Sequence, residues 1–282
     1  MRNIDLRSLT GLRHSGRLFN DCNVTFMDAT PEFIPVDEWD EWLTPIDDQG
    51  QTGTCVAQAT TRIIETYIAR FTGLRVQLDA LAVYRRAWEI ENRRPWKGDE
   101  GYADGLKIDA AVVALVDMGV LPVGTQCVEV PASPETISLA LRKLGPLLAG
   151  TCVHEGWLQE NMNKETGEIA QRPWLLNGHA WAIVGIGRGR GGIALVRGAN
   201  SWGEDWGWHG FFQWAMPNFR SCCVTHPIAI CPPGVPEDGE LANRWRSVVY
   251  HRRSEWCRLV VRASGFGGAK RPRWRTEEGV GE

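Results

Sequence analysis

Long hydrophobic runs are missing from this sequence: nothing approaches the roughly 18 apolar residues that a membrane-spanning helix needs. The N-terminus, Met1-Arg2-Asn3-Ile4-Asp5-Leu6-Arg7, lacks the apolar core of a secretory signal. These absences lead to the expectation of a soluble, cytoplasmic protein that contacts no membrane. The eight cysteines lack the paired spacing of a zinc grip, since Cys222 and Cys223 are adjacent and Cys231 has no partner pair. In a chain that is not small and carries no export signal, a disulfide framework is disfavoured and reduced thiols are expected. No metal and no organic cofactor is implied.

What is present fits an ordinary globular protein. The 282 residues are 43% hydrophobic and 23% charged, enough to bury a sizeable core as one large domain or two lobes. A net charge of −3 hides an asymmetry: residues 1–240 hold 21 basic and 30 acidic residues, whereas 241–282 hold 10 and 4. That tail interleaves Arg244, Arg246, Arg252, Arg253 and Arg258 with Trp245, Tyr250 and Trp256. A solvated tail is the favoured reading, and contact with nucleic acid or an anionic surface is the alternative.

One stretch organises the rest. Asp48-Gln49-Gly50-Gln51-Thr52-Gly53-Thr54-Cys55 is a Gly-rich turn that delivers a cysteine to the start of a helix. Val56, Ala59, Ile63, Tyr67 and Phe71 recur at helical spacing, and Gly73 is a stop signal. A thiol at a helix N-terminus faces unpaired backbone N–H groups and the positive end of the macrodipole. Both favour the thiolate, the only nucleophilic form of cysteine. A small buried core residue is the competing reading of Cys55.

Two later segments complete a constellation: Asn177-Gly178-His179-Ala180-Trp181, and Gly198-Ala199-Asn200-Ser201-Trp202-Gly203-Glu204-Asp205-Trp206-Gly207. His179 lies 124 residues after Cys55 and Asn200 lies 145 after it. With Gln49, Cys55, His179 and Asn200 in this order, and Asn-Ser-Trp-Gly intact, the chain resembles the papain-like cysteine peptidases. The resemblance spans about residues 37–215. It implies a two-lobed α+β fold, with a helical N-terminal lobe, a β-rich C-terminal lobe and the active-site cleft between them.

The resemblance also implies roles. Cys55 is the nucleophile, His179 its cationic partner and general acid, and Asn200 the group that orients the imidazole. Trp202 shields that hydrogen bond, and Trp206 belongs to the cleft wall. Gln49 is the oxyanion donor together with the backbone N–H of Cys55. Gly53, Gly105, Leu106 and Gly178 fall at substrate-binding positions. The sequence departs from the pattern in three places. Val56 replaces an aromatic residue, Thr52 replaces a disulfide cysteine, and the second glycine of the pair at Gly105 is absent.

The remaining chain reads as helices followed by strands. Helices are expected from Leu78 to Ile90, with Leu81, Tyr84 and Trp88 on its inner side, and around Ile108, Val112, Leu115 and Val116. A third follows Ser133-Pro134-Glu135, an N-cap with proline at the first helical position. Strand-like runs start at Leu147. Gly187-Arg188-Gly189-Arg190-Gly191-Gly192 satisfies a dinucleotide pattern, but a strand follows it, so a hairpin turn is expected. The expected organisation is an N-terminal extension (1–36) and a peptidase domain (37–231, lobes about 46–145 and 146–231), then a tail (232–282). The extension is too short for the family's usual inhibitory propeptide, so either it is a short blocker or activity is controlled differently.

These readings converge on a monomeric thiol peptidase acting on peptide or protein substrates through a Cys-His-Asn triad and an acyl-enzyme. The alternatives are an acyltransferase or amidase with the same triad, or a catalytically silent binding module.

Overall fold

The computed structural model describes residues 12–13, 32–98, 102–163, 165–170 and 174–233, with backbone alone at 12–13 and 174–177. The tail from residue 234 and most of the N-terminal extension lie outside the described residues. The elements run β1 (Leu12–Arg13), α1 (Cys55–Thr72), α2 (Ala80–Asn92), β2 (Leu106–Lys107), α3 (Ala110–Asp117), β3 (Gln126–Glu129) and α4 (Pro134–Leu144). They continue with β4 (Leu147–His154), β5 (Trp174–Arg188), β6 (Ala194–Ala199), β7 (Phe211–Ala215), α5 (Met216–Cys222) and β8 (Ile228–Cys231). None of these helices is long and apolar enough to cross a membrane.

The architecture is α+β, as expected. Six strands form one antiparallel sheet in the order β3-β8-β4-β5-β6-β7. Helices α1, α2 and α3 pack together, and α1 lies against β5 and β4. The segment Arg190–Gly192 turns β5 back into β6, so the Gly-rich run is a hairpin connection. Strand β3 belongs to the sheet although it precedes α4, and α4 itself packs on β5 and β8. Helices and strands are therefore not cleanly sequential. An apolar run as short as Cys127-Val128 carries too little pattern to announce an edge strand.

Local signals explain most boundaries. Asp79 caps α2 by accepting from the N–H groups of Leu81 and Ala82, both at 3.0 Å, which moves the start from the expected Leu78 to Ala80. The buried side of α2 is Ala80, Val83, Tyr84, Ala87 and Trp88, while Leu81 is exposed. Ile108 is buried ahead of α3 rather than within it. Ser133 and Thr136 close a capping box on α4, with Pro134 at its first turn. Gly73 ends α1 in the left-handed region (φ 72°), its N–H bonded to Ala69.

Helix α1 departs most from its sequence pattern. An apolar stripe predicts one buried face, yet every residue from Cys55 to Ala69 is buried. The polar ones are satisfied internally. Thr60, Thr61 and Thr66 donate to the carbonyls of Val56, Ala57 and Arg62 at 2.7–2.9 Å, one turn back. Arg62 and Glu65 are satisfied by the loops on either side of the helix. Glu65 accepts from Thr44 Oγ1 (2.8 Å) and from the Leu78 N–H (2.6 Å).

Burial, reinforced by the nearby Asp47 carboxylate, pushes the Glu65 carboxyl up to about 8, against the opposing pull of Arg62. The folded protein therefore holds a proton that the unfolded chain releases near pH 4.5. Glu65 stabilises the fold fully below that pH, and the contribution is lost as pH rises through about 8. Melting temperature should fall across this window in the wild-type chain and fall less in Glu65→Gln. Parallel pH profiles for the two proteins would exclude this role.

Candidate active site

The loop before α1 is folded on itself by its own side chains. The Gly50 N–H donates to Asp48 Oδ1 (2.9 Å), Thr52 Oγ1 to the Gln49 carbonyl (2.6 Å), and Gln49 Nε2 to the Thr52 carbonyl (2.6 Å). Gly50 adopts φ 59°, which favours glycine. Gly53 is required for a different reason. Its N–H donates to the Tyr102 carbonyl at 2.5 Å, and a Cβ there would stand 3.0 Å from the Tyr102 and Ala103 carbonyls. The loop therefore touches the wall that continues through Gly105 into β2. Cys55 is the first residue of α1, fully buried, and Thr54 makes no side-chain cap. The first-turn N–H groups thus keep their polarity directed at the thiol end of the helix.

His179 comes from the middle of β5, opposite Thr151 of β4, and Asn200 follows directly on the end of β6. Their side chains meet: His179 Nε2 and Asn200 Oδ1 are 2.7 Å apart. The same Oδ1 accepts the Ser201 N–H at 2.8 Å, which identifies it as the amide oxygen. An amide oxygen only accepts, so Nε2 carries the proton of the neutral imidazole and Nδ1 is its unprotonated nitrogen. Trp202 lies over the ring with centroids 4.7 Å apart and encloses the pair.

Gln49 is joined to the same loop. Ser201 Oγ donates to Gln49 Oε1 (2.6 Å), and the Gln49 N–H donates to the Ser201 carbonyl (2.8 Å). Gln49, His179, Asn200 and Trp202 are therefore connected by direct contacts, while Cys55 heads the helix that packs on β5. Gly105 (φ 66°) and buried Leu106 lie on the wall beside Gly53, and Gly178 sits in β5 opposite Cys152. Trp206 is only 2% exposed, enclosed by Trp157, Trp202 and Phe212 rather than presented on a cleft wall.

Sequence reasoning missed Trp157. It is fully buried, meets the His179 ring edge-on at 5.7 Å and stacks on Trp206, whose Nε1 donates to the Trp157 carbonyl (2.9 Å). Its turn is set by buried His154, whose Nδ1 accepts the Gly156 N–H (3.0 Å), and burial holds that imidazole below its usual range. A lone tryptophan after a strand gives no periodic signal, so nothing in the sequence marked it. Nor does the sequence motif assign a role to Ser201, which bridges Gln49 and Asn200 in the structure.

None of the six described cysteines is held in a disulfide. Burial pushes Cys127 and Cys223 up to about 12 and Cys222 up to about 11, and raises Cys152 as well. Among the described residues no group of three or more His, Cys, Asp or Glu could hold a metal ion.

Trp157→Ala should cost about 3–5 kcal/mol of folding stability and broaden the His179 imidazole resonances. An unchanged melting temperature would remove Trp157 from the core.

Residues 122–230 match the model of the papain family cysteine proteases. No curated protein matches the chain. Among solved structures, xylellain, a cysteine protease from Xylella fastidiosa, is 18% identical with TM-score 0.58, covering 82% of this chain and 99% of its own. Procathepsin L 3 from the larval midgut of Tenebrio molitor is 17% identical with TM-score 0.57, covering 80% and 77%. The procathepsin B S9 of Trypanosoma congolense is 18% identical with TM-score 0.58, covering 81% and 88%. At these identities the likeness is one of fold, and the fold is papain-like.

Proposed function

We propose that this chain, papain-like in fold and similar to that family in sequence over residues 122–230, is a cysteine-type peptidase. It hydrolyses peptide bonds in peptide or protein substrates through Cys55, His179 and Asn200. The observation that carries this reading is the buried His179–Asn200 hydrogen bond beneath Trp202, on a strand packed against the helix that starts at Cys55.

In this mechanism Cys55 passes its thiol proton to His179 Nδ1, and the resulting thiolate attacks the peptide carbonyl carbon, its charge passing to the carbonyl oxygen. That oxyanion is held by the Cys55 backbone N–H and by the Gln49 N–H not engaged by Thr52. His179 Nδ1 then gives its proton to the leaving amine, and the Asn200 bond at Nε2 keeps the ring in place as it does so. The tetrahedral adduct collapses to a thioester. Water, deprotonated by His179, hydrolyses it and restores the thiol–imidazole pair.

The test is labelling with iodoacetamide, mass mapping and a pH series. Cys55 should react far faster than the other cysteines and continue below about pH 6, where the buried thiols hold their protons. Equal reactivity at all cysteines, unaffected by His179→Ala, would sink the triad. Product analysis with added amines separates hydrolysis from acyl transfer.

A second observation bears on control. The backbone of β1 pairs in parallel with β2, at the end of the wall that carries Gly105, and lies close to β5. The N-terminal extension accordingly restrains access to the cleft in this reading. A chain beginning at residue 32 should cleave peptides with a higher kcat/KM than the full chain. An unchanged value would exclude the extension as a blocker.

A further inference from the structure

The nucleophile helix carries a buried cation that the triad does not use. Arg62 lies two helical turns beyond Cys55, and its side chain is only 2% exposed. Its guanidinium donates to the carbonyls of Thr44 and Pro45 and to Asp47 Oδ2, each at 2.9 Å, with a longer approach of 3.4 Å to Thr44 Oγ1. All of these acceptors lie in residues 44–47, which run directly into Asp48 and Gln49.

The far side of the same strip is held by the loop after Asn200. The Gly203 N–H donates to the Asp47 carbonyl (3.0 Å), Asp48 pairs with Trp202, and Gln49 exchanges backbone and side-chain bonds with Ser201. Gln77 Nε2 adds a bond to Asp47 Oδ1 (3.2 Å). The strip thus lies between α1, which carries Cys55, and the loop that carries Asn200. Arg62 is its principal link to α1.

We propose that Arg62 is a positioning residue: it fixes residues 44–47 to the nucleophile helix and so sets where Gln49 stands relative to Cys55. The inference rests on the reading of Cys55 as nucleophile and Gln49 as oxyanion donor. Arginine suits the task because one planar fork bonds two carbonyls and a carboxylate at once. A lysine at this place keeps the charge but supplies a single point donor. Displacing an oxyanion donor by a fraction of its hydrogen-bond length weakens only those steps in which the carbonyl oxygen becomes negative.

Two reactions of Cys55 separate this role from bracing the fold. Alkylation by iodoacetamide displaces iodide from a saturated carbon and forms no oxyanion. Addition of the Cys55 sulfur to the aldehyde carbon of acetyl-leucyl-leucyl-argininal turns the aldehyde oxygen into an alkoxide at the site.

The experiment compares the full-length wild-type chain with Arg62→Lys and Arg62→Met. It uses both reagents, a library of fluorogenic dipeptide amides, and thermal melting. Arg62→Lys is expected to keep its alkylation rate within about 2-fold, to lose about 10–100-fold in kcat with little change in KM, and to lose aldehyde affinity in parallel. If Arg62→Met fails to fold, Arg62→Lys carries the test. Alkylation, turnover and aldehyde binding falling by one common factor, or none of them changing, overturns the proposal.

Controls with Cys55→Ser and Gln49→Ala keep the two levels apart. Turnover that survives Cys55→Ser removes the peptidase reading itself. Turnover that is abolished there and lowered by Gln49→Ala, but unmoved by Arg62→Lys, removes only the role of Arg62.

Discussion

The structure depends on a helix that is buried along most of its length. Once α1 is enclosed from Cys55 to Ala69, every polar side chain on it must find a partner inside the protein, because an unpaired buried group costs about 1–3 kcal/mol. The threonines bond back to their own helix. Arg62 and Glu65 have no such option, so they recruit the chain segments beside them, Thr44 to Asp47 on one side and Leu78 on the other. The demand for satisfied polar groups in the core thus decides where the loop leading to Gln49 runs. The requirement is one of solvation, and the placement of a chemical group follows from it.

The opposite wall is organised by aromatic packing. Trp157, Trp181, Trp202, Trp206, Phe212 and Trp214 form a continuous set of edge-to-face, tilted and stacked contacts beside the His179–Asn200 pair. Such a cluster excludes water from a hydrogen bond whose strength rises as the local dielectric falls. Close packing in and around the cluster also constrains the backbone. Gly156 has no room for a side chain, since a Cβ would fall 1.9 Å from the Ala170 carbonyl, and a Cβ at Gly198 would strike the Phe212 ring at 2.2 Å. These glycines are set by close approach to neighbouring atoms rather than by turn geometry.

How far the sequence could be read depended on whether a feature was local. The cap at Ser133, the stop at Gly73 and the hairpin at 187–192 each follow from a few adjacent residues, and each appears in the structure near its expected place. The start of α2 was misjudged because Asp79 competes for the first-turn N–H groups, and apolar periodicity does not register a cap. Leu81 was assigned to the core by spacing, although its side of the helix faces solvent. Strand β3 escaped notice because four residues at a sheet edge carry almost no periodic signal. At the candidate site, the family motifs named His179, Asn200 and Gln49. They carried no trace of Trp157 or of the grip of Arg62 on residues 44–47.

The sequence by itself determined the local chemistry: a thiol at the head of a helix, an imidazole in a strand, a carboxamide just past the next strand, and glycines where the chain must turn. Those features depend on neighbours within a few residues, so composition and spacing suffice. The tertiary structure alone decided which of these groups meet, through contacts across separations of 21 residues between His179 and Asn200 and 152 between Gln49 and Ser201. It also decided that α1 is enclosed and that its buried Arg62 must bond to residues 44–47, which lead to Gln49. Burial and long-range hydrogen bonding are properties of the packed chain, and no local pattern encodes them.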